Sequence, residues 1–268
     1  MVLNQEQIER YSRQLILKDI GVQGQKKLLE SKVLIVGLGA LGSPIAMYLA
    51  SAGVGTLGLI DGDTIELSNL HRQIIHKDNN IGKSKVSSAE NTLKSLNSNV
   101  NIVKYPYFAD GSNILDIVKD YDFIVDATDR IENKFLINDA CVLAKKPFSH
   151  GGVLQFSGQL MTYVPNESPC YRCMFEDIPS DDMPTCSQVG VVGAVCGVIG
   201  SLQSLEVIKY LTGSGELLTG RMLIFDGLSM KFRTVNFKKS SFCKVCGKNH
   251  EITELSWYDK YKNLGCGR

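Results

Sequence analysis

The run Val33-Leu34-Ile35-Val36 leads without a break into Gly37-Leu38-Gly39-Ala40-Leu41-Gly42 and then into an apolar helical stretch over 45–52. Uninterrupted aliphatic residues of this kind read as a strand buried on both faces. Glycines between that strand and a helix permit a tight turn, and the helix start offers free N–H groups to an anion. A second buried run over 56–60 ends at Asp61, and strands are predicted over 100–105 and 123–125. Helical segments over 84–96 and 114–119 precede them. Strands alternating with helices predict a doubly wound, mainly parallel α/β sheet of Rossmann-like type.

Residues 1–30 are expected to form a helical arm, with Ile8, Tyr11, Leu15 and Leu17 on one period and Gly21 and Gly24 breaking it. Residues 31–150 make up the nucleotide-binding half. Beyond residue 150 the pattern changes. A strand is predicted over 153–164, a loop over 174–188, a small-residue helix over 189–211, and a hairpin over 222–225 and 232–237 around Asp226-Gly227. The simplest reading is one domain over 1–268, whose second half (151–247) extends the sheet with mixed strands, followed by a tail over 248–268.

Composition narrows the function. Twenty-nine basic residues against 28 acidic give a formal charge of +1, which argues against nucleic-acid binding through bulk charge. The N-terminus is polar and starts no signal peptide, and the charge-free run over 189–200 is too short to span a bilayer. A soluble, cytoplasmic protein with no membrane partner is therefore expected.

The strand, Gly37-x-Gly39-x-x-Gly42 and Asp61 together point to a nucleotide, with the acid accepting hydrogen bonds from ribose hydroxyls. The competing reading is a plain tight strand–helix turn. Downstream lie Asp63, then Ser68-Asn69-Leu70-His71-Arg72-Gln73, then Gly82-Lys83-Ser84-Lys85. Cations beside hydroxyl and amide groups suit a triphosphate with a pyrophosphate leaving group, although a solvated charged loop would look the same. The strand over 123–125 runs into Asp126-Ala127-Thr128-Asp129-Arg130. A carboxylate there could hold Mg²⁺ or cap the helix that begins near Glu132.

Of eight cysteines, Cys170/Cys173 and Cys243/Cys246 form two C-x-x-C pairs. Four thiolates suit a tetrahedral structural zinc, and redox or unpaired thiols are the alternative. Cys141 and Cys196 read as core residues, and Cys266 has no assignment. The histidines at 71, 76, 150 and 250 form no ligand spacing.

These motifs, together with Arg10-Tyr11-Ser12-Arg13-Gln14, resemble the ThiF/MoeB/HesA family, bacterial relatives of ubiquitin-activating enzymes. The similarity runs from residue 5 to about 247. It implies an adenylyltransferase that uses MgATP to activate the Gly-Gly carboxylate of a ubiquitin-like sulfur-carrier protein, releasing pyrophosphate before thiocarboxylation. The half over 151–247 would bind the carrier. A thiamine-type (ThiS) carrier is favoured on overall similarity, with a molybdopterin-type (MoaD) carrier as the alternative.

The resemblance assigns Asp61 to the ribose and Gly39 and Ala40 to the nucleotide lining. Asn69, Arg72 and Lys85 would clamp the phosphates and Asp129 would hold Mg²⁺. Gly37, Gly42, Asp63, Ser68, Leu70, His71, Thr128 and Arg130 complete the nucleotide surround. Arg13 would act in trans in a homodimer, the Cys₄ set would hold Zn²⁺, and Cys186 matches a conjugating cysteine. Arg130 stands where many members carry Asn, and Ala40 where Gly is frequent. The ending of the chain predicts a separate sulfur donor rather than an appended rhodanese-like domain. A nicotinamide-dependent dehydrogenase would share the glycine turn but leave Arg72, Lys85 and Asp129 unexplained. A binding-only scaffold would not need them either.

Overall fold

The computed structural model describes residues 2–179 and 189–261, with side chains through Tyr258. Five parallel strands come first: β1 Lys32–Val36, β2 Thr56–Ile60, β3 Asn101–Tyr105, β4 Phe123–Asp126 and β5 Phe148–Leu154. Three antiparallel strands extend them: β6 Ser157–Tyr163, β7 Arg221–Asp226 and β8 Lys231–Asn236. They form one sheet in the order β3-β2-β1-β4-β5-β6-β7-β8, with β3 and β8 at its edges.

The aliphatic run of β1 explains the layering. Successive side chains point to opposite faces of a strand. Val33 and Ile35 join one core layer with helices α3 (Gly21–Glu30), α4 (Gly42–Ala52), α5 (Lys85–Leu96) and α8 (Gly193–Thr212). Leu34 and Val36 join the other, with α6 (Ile114–Val118), α7 (Ile131–Leu143) and the segment around Cys243. The strand order reverses between β1 and β4, and crevices at such a switch point are where ligands bind in open α/β sheets.

Four expectations need correction. Gly21 and Gly24 do not end the arm's helix. After α1 (Gln5–Arg10) and α2 (Ser12–Leu15), Gly21 opens α3 at φ 56°. Gly24 lies inside α3, where an added Cβ would sit 3.1 Å from Ile20 Cγ2 and 3.3 Å from Thr212 Cγ2. Of the predicted apolar face only Tyr11 is buried, because it alone reaches the core; Ile8 and Leu17 are exposed. The single strand over 153–164 is instead the end of β5, a turn at Gln155-Phe156, and β6. Gln155 turns at φ 51°. The helix expected from 189 starts at Gly193, because Val191 is bridged to Gln155.

By length and composition α8 could cross a membrane: it has 20 residues and a mean hydropathy of 1.3. Here it is packed against α3, α4, β5 and β6 instead. Small residues allow that contact. An added Cβ at Gly200 would lie 2.6 Å from Pro44 Cγ and 3.0 Å from the Leu41 carbonyl oxygen, whereas at Gly197 nothing lies within 4 Å. Gly200→Ala should therefore destabilise the fold by about 1–3 kcal/mol through overpacking. Gly197→Ala should stabilise it by up to about 1 kcal/mol through helix propensity. Urea unfolding of the two variants checks this, and equal effects would contradict the packing account.

Candidate functional site

The glycine turn joins the end of β1 to α4. Gly37 has φ 96°, and an added Cβ there would meet the Ala127 carbonyl oxygen at 2.8 Å. At Gly42 the Gly37 carbonyl oxygen would lie only 2.0 Å away. Both positions therefore require glycine, one by φ and both by contact. Gly39 differs, since its nearest neighbour would be Gln73 Nε2 at 3.6 Å, so the turn has an open side there. Ala40 is half-buried beside it.

Asp61 braces this turn from the end of β2. Its Oδ2 accepts the Leu38 N–H at 2.7 Å and its Oδ1 accepts the Asp63 N–H at 2.9 Å. Burial raises its pKa, opposed by the charge of Lys85 and by the two backbone donors. Lys85, at the first position of α5, is buried and pairs with Asp63 Oδ2 at 2.8 Å.

The loop before α5 carries the other predicted groups. Arg72 Nη1 donates to the Ser68 carbonyl at 2.8 Å and lies 3.4 Å from His71 Nε2. Asn69 Oδ1 accepts the Glu66 N–H at 3.1 Å. Ser68 and His71 are exposed, while Leu70 and Arg72 are half-buried. The loop is backed by α8: an added Cβ at Gly193 would lie 2.9 Å from the His71 carbonyl oxygen and 3.2 Å from Arg72 Cα.

At the end of β4 the two aspartates have different fates. Asp126 is fully buried and accepts from Thr128 Oγ1 at 2.6 Å, His150 Nδ1 at 2.9 Å and Lys134 Nζ at 3.4 Å. Burial alone would raise its pKa, but the Lys134 charge and the hydrogen bonds from His150 and Thr128 outweigh it and hold it at about 2. Asp129 is exposed and makes no hydrogen bond among the described residues, leaving its carboxylate open to a cation. Neither aspartate caps α7. The N-cap is Arg130, with no side-chain cap bond, and its Nε lies 3.4 Å from Glu132 Oε2.

Three groups that the sequence reading passed over hold this arrangement. Lys134 Nζ donates to the Thr128 carbonyl at 2.6 Å and the Gly151 carbonyl at 2.7 Å, tying the Asp129 loop to β5. His76 reaches the Leu38 carbonyl with Nε2 at 3.1 Å and Ser88 Oγ with Nδ1, also at 3.1 Å. A carbonyl only accepts, so Nε2 carries the proton and Nδ1 accepts from Ser88. His150 holds Asp126. Nothing in the spacing of these residues announces such partners, which lie 38 and 24 positions away.

The four paired cysteines cluster apart from the turn, within the α7 layer. Their Sγ atoms all lie within 4.8 Å of one another, with Cys170–Cys243 at 3.6 Å and Cys173–Cys246 at 3.4 Å. Disulfides at about 2.05 Å are excluded here. Four sulfurs each about 2.3 Å from one ion would be about 3.8 Å apart, so the set fits a tetrahedral zinc. Arg172, between the first pair, is buried and grips Asp139 of α7 through Nε at 2.8 Å and Nη2 at 3.0 Å. It also contacts Tyr258 Oη at 3.2 Å, so the tail packs onto this grip, with Leu255 and Tyr258 buried.

One expected group, Arg13, stays outside the assembly: it is exposed on α2, which packs on α3. Another, Cys186, lies outside the described residues.

The buried histidines carry an acid signature. Burial, opposed by the Leu38 hydrogen bond and reinforced by the Lys85 charge, pushes the His76 pKa down to about 4. Burial and Lys134 likewise lower His150 against the pull of Asp126. The unfolded chain takes up these protons at an ordinary pKa of about 6.5, so their contribution is intact above that value and is lost as pH falls toward 4. Asp126 adds a second loss between about 3.8 and about 2. Urea midpoints should therefore drop from pH 7 to pH 4.5, and His76→Gln should flatten the slope. An unchanged slope would contradict the assignment.

Comparison with known proteins finds relatives over nearly the whole chain. A ThiF family model matches residues 11–245. The Dictyostelium discoideum "Adenylyltransferase and sulfurtransferase MOCS3" is 49% identical over 262 residues, covering 97% of this chain and 62% of its own length. The Zea mays MOCS3-1 is 50% identical over 251 residues, covering 93% and 54%. The chain thus spans somewhat over half the length of these curated relatives. Among solved structures, E. coli MccB with ATP is 27% identical at a TM-score of 0.79, covering 91% of this chain and 75% of its own. E. coli MccB with MccA-N7isoASN is 26% identical at 0.81, covering 91% and 76%. The chain belongs to the ThiF family.

Proposed function

We propose that this ThiF-family chain is an ATP-dependent adenylyltransferase that activates the C-terminal carboxylate of a ubiquitin-like sulfur carrier. The observation that carries this reading is the convergence, at the switch point between β1 and β4, of the glycine turn, Asp61, Lys85 and the open carboxylate of Asp129. A dehydrogenase needs the first two and not the last two. The relatives named MOCS3, 45–50% identical over nearly the whole chain, favour the molybdopterin-type carrier. The thiamine preference drawn from overall similarity has no support among them.

In this reading a carboxylate oxygen of the carrier attacks the α-phosphorus of ATP, and the bond from that phosphorus to the β-bridging oxygen breaks. Pyrophosphate leaves with the electron pair. An anion attacking a polyanion meets repulsion, so fixed positive charge must supply most of the acceleration. Arg72 and Lys85 would provide it, Lys85 being shared between Asp63 and the phosphates. Asn69 would hold a phosphate through its amide. Asp61 would hold the ribose while it keeps its backbone donors. Mg²⁺, held by Asp129, would neutralise charge on the departing pyrophosphate. Arg13, exposed on α2, would serve the site of a partner copy.

Exchange of labelled pyrophosphate into ATP should appear with a MoaD-type carrier and not with a ThiS-type one. Arg72→Ala and Lys85→Ala should each lower it by about 10²–10³, the loss seen when one transition-state donor is removed. ATP binding without exchange with either carrier would overturn the reading, as would NAD(H) binding with indifference to ATP.

The cysteine cluster is assigned to a structural zinc, with thiolate ligands and no part in the reaction. It would fix the Arg172 loop to the segment after β8. Metal analysis should return one zinc per chain, and Cys246→Ser should abolish it and lower Tm by ~10 °C, since ligand-bound metal contributes folding energy. A zinc-free wild type of unaltered stability would refute the assignment.

A further inference from the structure

Gln73 is the one group of the loop over 68–73 that is buried, and its side-chain oxygen has no partner among the described residues. Only 4% of the residue is exposed, and its Oε1 is enclosed. Its backbone is pinned, because its N–H donates to the Asn69 carbonyl at 3.0 Å and its carbonyl accepts from the His76 N–H at 3.0 Å. The side chain is therefore aimed by the chain on either side of it. It points at Gly39, where Nε2 lies 3.6 Å from the place an added Cβ would take, on the open side of the turn.

An amide carries two donors and an acceptor, and folding exacts a desolvation penalty for each that stays unused inside the protein. Packing alone would be served as well by leucine or methionine of similar bulk. A buried amide whose oxygen has no partner among the described residues, and whose Nε2 faces the most open glycine of the turn, is the pattern of a group whose partner is a ligand.

We infer that Gln73 binds the nucleotide directly, its Nε2–H donating to a phosphate oxygen of ATP seated over Gly39. The turn's own N–H groups and Gln73 then approach the triphosphate from two sides, with Arg72 adjacent in sequence. This rests on the reading of the site as an ATP site, and it adds a ligand-contacting residue to that site.

The consequence runs against ordinary expectation for a buried residue. Gln73→Leu removes an unsatisfied polar group, so the ligand-free variant should melt at or above the wild-type temperature. MgATP affinity measured by calorimetry should nevertheless fall by about 10- to 100-fold, the range for a hydrogen bond to a charged acceptor. Gln73→Met, flexible enough to fill the same space, should behave alike, and Gln73→Glu should lose more because its carboxylate repels phosphate.

Binding of MgATP by the 268-residue chain is the primary readout, because it needs no carrier. Weak binding by the variants at undiminished Tm supports the inference even if no tested carrier supports exchange. Wild-type affinity in both apolar variants would overturn it. So would a fall in Tm that accounts for the loss of binding, since that would make Gln73 a packing residue. A wild type that does not bind ATP would overturn the adenylation reading and this inference together.

Discussion

The buried Asp61 carboxylate accepts the Leu38 N–H at 2.7 Å, and the geometry at this end of the sheet depends on that bond. It fixes the turn after β1 to the end of β2. From the other side, His76 takes the Leu38 carbonyl. One peptide unit of the turn is thus held through its donor and its neighbour's plane through its acceptor, leaving little freedom for the N–H groups that follow. Ser43 completes the brace by donating to the Gly39 carbonyl through both N–H and Oγ, at 3.0 and 2.7 Å. In the proposed adenylation, backbone groups that receive phosphate gain from being preorganised, since no reorganisation is needed when charge arrives.

Buried charge is handled in two ways. Lys134 is surrounded by acceptors on three sides, two carbonyls and Asp126, and it works as a strut beneath the Asp129 loop. Arg172 meets Asp139 through two nitrogens and lies 4.6 Å from the Phe135 ring centroid. Replacing both members of such a pair by apolar groups can leave stability unchanged, whereas removing one strands its partner at about 3–5 kcal/mol. The value of these pairs therefore lies in what they align. Lys134 aligns the site, and Arg172 aligns the cysteine cluster and the tail with α7.

What could be read in the sequence follows from range. The β1 run, the glycine turn and Asp61 lie within 29 residues of chain and each leaves a local mark, so the fold class and the braced turn were legible. The two C-x-x-C pairs also announced their meeting, because four thiols have few other uses together. The supporting groups left no such mark. His76, His150 and Lys134 act on carbonyls and carboxylates distant in sequence, and a lone histidine in an apolar stretch carries no sign of its partner. The arm misled for a different reason. The stretch 5–15, in which α1 and α2 bury none of their own residues and only Tyr11 between them is buried, shows the same period as a helix that buries a whole face. The hairpin at Gln155 was hidden because a non-glycine residue takes the left-handed turn there.

Among the described residues β8 pairs with a strand on one side only, β7, and so forms a rim of the sheet. Such a rim can template the addition of a strand from another molecule. Lys231 and Arg233 stand exposed along it, and Lys238 and Lys239 follow within a few residues. A second copy approaching in register would bring like charges together, so repulsion protects the molecule from edge-to-edge self-association at high concentration, a safeguard that salt weakens.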